Sequence, residues 1–319
     1  MEHKIESHED MIGRMVIKHF GENSRAIERM SIGLCNEVYN IKLSNREVIA
    51  RLSLIADFIK GSQKHIPMLK EKGIIVPDIL FEDYSRTDTQ YVYQFLSKLP
   101  GKDLGLVIEN LTDKQLNLIA KEVSLVMDIV RTIPSTDKFG YFYDSYEETA
   151  ITWNERMKSS IDEAKKRSSK TGVLNDTMIH ISEELYNKNE AYFNQVIPVS
   201  YVDDICSKNV MVHDGRFSGL VDLDCLAQGD YLETIGRIKA SWPGTHYGEF
   251  YTNAIMDAQN LNKEQRKMVL VYALLNRISW ASENGIQFNQ NTKAEVDGER
   301  LKRDREIIDL LWEEYKNIK

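Results

Sequence analysis

Asp204 is followed five residues later by Asn209, and thirteen residues beyond that by Asp222. Between them, Val210 to Val212, the turn His213-Asp214-Gly215-Arg216 and Phe217 to Leu223 read as a β-hairpin. Asp204 and Asn209 then end one strand and its loop, Asp222 ends the opposite strand, and the three side chains can converge. A carboxylate and an amide oxygen in one small space are hard donors suited to Mg²⁺. A separate carboxylate beside that cation can accept a proton from an attacking hydroxyl. This is the chemistry of phosphoryl transfer, in which positioning and charge neutralisation carry most of the catalysis.

The elements that must hold these residues are of two textures. Residues 1–20 read as a helix, with Met11, Ile12, Met15, Val16 and Phe20 at helical spacing. Val38 to Leu43 and Val48 to Leu52 alternate like two strands of a hairpin turning at Asn45-Arg46. A helix is expected over 57–72, a short strand from Ile74 to Phe81, and another strand from Tyr91 to Leu96. Pro100-Gly101 breaks the pattern, and helices dominate beyond it. Thr112 and Gln115 form a capping box before a helix over 113–132, and further helices are expected at 153–168, 175–195, 263–283 and 299–318. Sheet first and helices second, with a hairpin between helices, is an α+β arrangement. The expected division is a sheet-rich part over 1–97 and a mostly helical part over 98–319.

The stretch Val202-Asp203-Asp204-Ile205-Cys206-Ser207-Lys208-Asn209-Val210-Met211-Val212, then Asp214-Gly215-Arg216-Phe217-Ser218-Gly219-Leu220-Val221-Asp222, resembles the aminoglycoside phosphotransferases, a branch of kinase-like enzymes. That family reads H-G-D-x-x-x-x-N-V-L-V and D-G-R-x-x-G-V-I-D with the same gaps, and Gly229-Asp230 matches a further family Gly-Asp. Among the branches the stretch looks most like the hygromycin kinases. The first third is similar too. Ser31 to Tyr39 looks like the phosphate-covering hairpin, Ile49-Ala50-Arg51-Leu52 like the strand with the phosphate-pairing cation, and Gly73 to Leu80 like the strand after the first-lobe helix. Tyr91 to Leu96 with Leu99-Pro100-Gly101 looks like the adenine-facing strand and hinge. The similarity spans about residues 27–240 in one consistent order.

The resemblance implies a two-lobed protein-kinase-like fold and transfer of the γ-phosphoryl of ATP or GTP, with Mg²⁺, directly to a hydroxyl of a small molecule. It implies Asp204 as catalytic base and Asn209 and Asp222 as metal ligands. Gly33, Asn36, Val38, Arg51, Gln94 and Leu96 are the implied nucleotide contacts, Arg51 at the phosphates and the backbone of Gln94 to Leu96 at the base. An aminoglycoside or related amino-sugar suits the acceptor site. A metabolic sugar or amino-alcohol kinase is the alternative within the fold, and a nucleotide-binding pseudokinase the alternative outside catalysis. Three departures bear on that last reading. Val202 stands where the family has His, Asp203 where it has Gly, and the acid expected on the first-lobe helix falls at Ser62 or Gln63. Asp224 either adds to the charge field of the site or is simply solvated, and Asp230 is expected to cap the following helix.

Composition narrows the field. The net charge of −8 over 319 residues argues against nucleic acid and anionic membrane as partners. Residues 1–100 hold 14 basic and 14 acidic side chains, so the acidic excess lies wholly in 101–319, where it would favour a cationic acceptor. The longest apolar run, Met268 to Leu275, is too short to span a bilayer, and the acidic start MEHKIESHED is unlike a signal peptide. Cys35, Cys206 and Cys225 show no metal or disulfide spacing and are expected as buried thiols. A cytoplasmic location is the expectation.

Overall fold

Period-two alternation in the first third produces an antiparallel sheet with one face under a helix. The computed structural model describes residues 7–31, 36–142, 150, 152–288 and 291–318. Gly33, Cys35 and residues 1–6, where the helix expected over 1–20 would begin, lie outside the described residues. Helix α1 (His8–Phe20) is followed by β1 (Ala26–Met30), β2 (Glu37–Lys42), β3 (Glu47–Ser53), the short helix α2 (Asp57–Lys60), α3 (Ser62–Glu71), β4 (Ile79–Asp83) and β5 (Val92–Ser97). The five strands lie in the order β1-β2-β3-β5-β4. Met11, Ile12, Met15 and Val16 of α1 pack on Tyr39, Ile41, Val48, Ala50, Leu52, Tyr93 and Phe95 in one cluster. Strand alternation turns Arg51 and Gln94, cross-strand partners, to the opposite face. The segment 74–78 forms no strand, although the Asp78 carbonyl accepts the Ser97 N–H at 2.9 Å, so the strand expected from Ile74 begins only at Ile79.

The second lobe adds β6 (Lys102–Asp103), α4 (Leu104–Val107), α5 (Asp113–Arg131), β7 (Gly140–Phe142), α6 (Trp153–Thr171), α7 (Asp176–Phe193) and β8 (Val199–Tyr201). It continues with β9 (Val210–His213), β10 (Arg216–Leu220), β11 (Leu226–Gly229), α8 (Leu232–Ser241), α9 (His246–Ala258), α10 (Lys263–Ala281) and α11 (Gly298–Asn317). Two small sheets, β10-β9-β6 and β7-β11-β8, sit among the helices. The capping box of Thr112 and Gln115 is formed at the start of α5. The β9–β10 turn has positive φ at Asp214 and Gly215 (49° and 72°), the conformation that makes Asp-Gly a tight hairpin turn. No helix among the described residues is long and apolar enough to cross a membrane.

The lobes meet along α3 and the segment after it. Ile66, Leu69, Ile74, Val76 and Leu96 belong to the large core of the second lobe. The Leu220 N–H donates to the Ile75 carbonyl at 2.9 Å. Gly101, just past β5, has φ of 95°, and a Cβ there would lie 2.0 Å from the Val212 carbonyl oxygen. Only glycine fits that close approach, which seats the connection between lobes on β9.

Candidate active site

Helix α8 holds the loop that carries Asp204. One turn of this helix presents Thr234 and Arg237 on the same side. Thr234 Oγ1 donates to the carbonyls of Val202 (2.8 Å) and Asp203 (3.1 Å). Arg237 Nη1 donates to Asp203 Oδ2 at 3.1 Å, and Nη2 stands 3.7 Å from Asp204 Oδ1. Val202, in the position of the family His, is buried in the core, and the Thr234 hydroxyl anchors the loop. Burial raises the pKa of Asp203; Arg237 opposes the rise and Asp204 reinforces it. The side chain of Asp204 is 39 % exposed and so faces the cleft. Its Oδ1 also accepts the Cys206 thiol.

Asn209 ties that loop to the strand end bearing Asp222. Its Nδ2 donates to the Asp204 carbonyl at 2.9 Å, and its own carbonyl accepts the Val221 N–H at 3.0 Å. Asp222 has φ of 61°, a left-handed conformation uncommon outside glycine and enriched in Asp and Asn. Arg51 Nη2 donates to Asp222 Oδ1 at 2.8 Å across the cleft. Half of the Asp222 side chain, 51 %, remains open. Enclosure in the cleft raises its pKa against the pull of Arg51, and the carboxylates of Asp224 and Asp204 add to the rise.

Asp224 is buried rather than solvated. Its two oxygens accept both Nη groups of Arg51, Oδ1 at 2.8 Å, and Asn36 Nδ2 reaches Oδ2 at 3.4 Å. Burial works against the Arg51 charge, but Asp224 and Asp222 outweigh it and raise its pKa. Asn36 also donates to the Phe58 carbonyl at 3.1 Å, while its buried Oδ1 has no partner among the described residues. Val38, opposite Arg51 in the β2–β3 pairing, is half-buried beside it.

Gln94 and Leu96 are placed differently from the expectation that their backbone faces a base. Strand β5 is interior, Gln94 pairing with Arg51 and Glu82, and Leu96 with Ile49 and Ile79. The sheet therefore engages the backbone on both sides up to Ser97, and the first chain clear of it is at Lys98 to Gly101. The Gln94 side chain is buried, accepting Ser62 Oγ at 2.9 Å and donating to the Tyr84 hydroxyl at 2.8 Å. The N-cap of α8 is Tyr231 and not Asp230 as expected; Asp230, one residue earlier, accepts the Leu232 N–H on Oδ1 at 3.1 Å and the hydroxyls of Tyr192 (2.6 Å) and Tyr272 (2.8 Å) on Oδ2.

The donor set at Asn209 and Asp222 fits a divalent cation. Two hard oxygen donors lie on segments joined by a backbone hydrogen bond, and burial, with the carboxylates of Asp224 and Asp204 adding to it, raises the Asp222 pKa, a rise that positive charge would oppose. Among the described residues no three His, Cys, Asp or Glu side chains gather to hold a metal alone, and a cation held by Asn209 and Asp222 would need further ligands such as phosphate and water.

No family model matches the chain, and no curated protein matches it in sequence. Solved structures do match it in fold. A thermostable mutant of the aminoglycoside phosphotransferase APH(4)-Ia, in ternary complex with AMP-PNP and hygromycin B, superposes with a TM-score of 0.67 at 16 % identity, covering 93 % of this chain and 98 % of that one. The GDP complex of an aminoglycoside 2'-phosphotransferase-IIIa mutant gives 0.66 at 14 %, covering 97 % and 96 %. A candidate fructosamine-3-kinase from Haemophilus somnus 129PT gives 0.64 at 13 %, covering 94 % and 96 %. The chain has the two-lobed, kinase-like fold of the aminoglycoside phosphotransferases, over nearly its whole length.

Proposed function

We propose that the protein is a small-molecule kinase that transfers the γ-phosphoryl of ATP or GTP to a hydroxyl. The observation that supports this reading is the chain of hydrogen bonds linking Asp204 to Asn209, Asn209 to the Val221 N–H beside Asp222, and Asp222 to Arg51 of the first lobe. Asp204, open to the cleft on a loop held by Thr234, Arg237 and Asn209, orients the acceptor hydroxyl and takes its proton. Arg51 pairs with the nucleotide phosphates, and the backbone from Lys98 onward meets the base. Asn209 and Asp222 hold Mg²⁺, which when bound neutralises charge on the phosphates. The acceptor oxygen bonds to phosphorus as the bond to the nucleoside diphosphate breaks, with no phosphoenzyme.

Each departure that favoured a binding-only protein has a structural counterpart. Thr234 anchors the loop where the family His is Val202, Arg237 pairs with Asp203, and the Asp224 carboxylate meets Arg51 although Ser62 and Gln63 stand where a helix acid is expected. These support transfer over a pseudokinase. The acceptor we propose is an amino-sugar, aminoglycosides included. The acidic excess of residues 101–319 and the hygromycin B complex of a structural neighbour support that class.

The test is a mass-spectrometric screen of purified protein, Mg²⁺, ATP and GTP against aminoglycosides, glycated amines, sugars and amino-alcohols, with Asp204→Ala as background. A phosphorylated product made only by the wild type establishes the reaction and names the acceptor class. No product from folded protein across the panel counts against it. Separately, Asp222→Ala is expected to abolish the Mg²⁺ dependence of nucleotide affinity in titration calorimetry. Equal affinity with and without Mg²⁺ in the wild type would remove the metal assignment.

A further inference from the structure

A phosphate-pairing arginine needs a fixed carboxylate to aim its fork, and where the resemblance places an acid on the first-lobe helix this chain has Ser62 and Gln63. Ser62 Oγ is engaged with the Ile59 carbonyl (2.5 Å) and Gln94 Oε1 (2.9 Å), and Gln63 Nε2 with Glu82 Oε1 (2.5 Å). The carboxylate comes instead from the other lobe. Arg51 Nη1 and Nη2 donate to Oδ1 and Oδ2 of Asp224, a two-point fork between side chains only 6 % and 9 % exposed. Such paired, charge-assisted bonds fix direction as well as distance. Asp224 is steadied by Asn36 Nδ2 at 3.4 Å, and its neighbour Leu223 accepts His65 Nδ1 of α3 through its carbonyl at 3.2 Å.

We propose that Asp224 is the positioning residue of Arg51, replacing the absent helix acid; the proposal rests on the reading above that Arg51 meets nucleotide phosphate. The geometry has a consequence for how the site assembles. A helix acid would aim the cation within the first lobe, whereas this fork spans the cleft, so Arg51 is aimed only when the lobes are together. The second contact, Arg51 Nη2 to Asp222 Oδ1 at 2.8 Å, places the same guanidinium beside the proposed metal ligand. Cation and metal site are thereby set by one segment, Asp222 to Asp224.

The experiment is a double-variant cycle read by calorimetry with Mg²⁺ and ADP, alongside unfolding temperature. Arg51→Ala and Asp224→Asn are each expected to weaken MgADP binding about 10–100-fold, the range for lost hydrogen bonds to charged groups. The double variant is expected to bind no more weakly than Arg51→Ala, because Asp224 acts only through the guanidinium. Losses that multiply in the double variant overturn the proposal and make Asp224 a ligand in its own right. Unchanged affinity in Asp224→Asn with a lowered unfolding temperature overturns it in favour of a purely structural ion pair. If Asp224→Asn does not fold, Arg51→Lys decides, since lysine keeps the charge but cannot form the fork. Weakened binding then supports positioning, and wild-type affinity overturns it. Wild-type protein that binds neither MgADP nor MgGDP overturns the kinase reading and this proposal together, whereas wild-type binding with multiplying losses overturns the positioning role alone.

Discussion

Asp204→Ala is expected to lower turnover by about 10²–10⁴-fold, the usual contribution of a positioned general base, with nucleotide affinity and fold retained. The structure separates these effects because the loop does not depend on the Asp204 side chain. Asn209 holds its carbonyl, Thr234 holds the two carbonyls before it, and Arg237 stays engaged with Asp203 at 3.1 Å. Among the described residues the carboxylate itself meets the Cys206 thiol and, at 3.7 Å, Arg237. Single-turnover rates with the acceptor found by screening, set beside nucleotide binding, check the split. A variant that transfers phosphate at the wild-type rate would remove Asp204 as the base, and one that loses nucleotide binding would make its role structural.

What the sequence makes legible is short-range. The run from Asp204 to Asp222 with its Asp214-Gly215 turn, and the alternation of β2 and β3, are each written within about twenty residues of chain, and the structure forms the expected hairpins there. The partners of these residues are not local. Arg51 and Asp224 are 173 residues apart, so no pattern in the chain links them. Thr234 and Arg237 were hidden for another reason. Helix α8 buries Glu233, Thr234 and Lys239 along with Leu232, Ile235, Gly236, Ile238 and Ala240, so polarity along the chain does not tell which of its side chains face inward. Its interior Gly236 and Thr234 also lower helix propensity. Buried Glu233 and Lys239 read as surface residues in sequence; in the fold Glu233 accepts the Tyr201 hydroxyl at 3.0 Å, and Lys239 pairs with Glu249 and Glu314 at 3.0 Å each. For Gln94 and Leu96 the alternation marks a strand without telling an interior strand from an edge. That distinction decides whether a backbone can face a ligand.

Arg237→Ala is expected to be the most destabilising single change near the site, by about 3–5 kcal/mol, because it leaves a buried carboxylate without its cation. Asp203 and Arg237 are each 15 % exposed, and Asp204 and Glu233 add negative charge around Asp203. The deficit should depend on pH, with a sign set by Asp203. Burial already raises its folded-state pKa against the opposing Arg237, and removing the guanidinium raises it further. Above the ordinary carboxylate range the folded variant then binds a proton that the unfolded chain does not. Stability conferred by that proton is complete in acid and is lost as pH rises through the folded-state pKa. Arg237→Ala is therefore expected to unfold closer to wild type at pH about 5 than at pH about 8. Adding Asp203→Asn to Arg237→Ala removes the orphaned charge and should recover part of the loss at the higher pH, while the stacking of Arg237 over Trp280 at 5.8 Å stays lost at both. Urea unfolding of the three variants at the two pH values checks this. An equal deficit at both, with no recovery in the double variant, would mean that Arg237 matters through packing and not through Asp203.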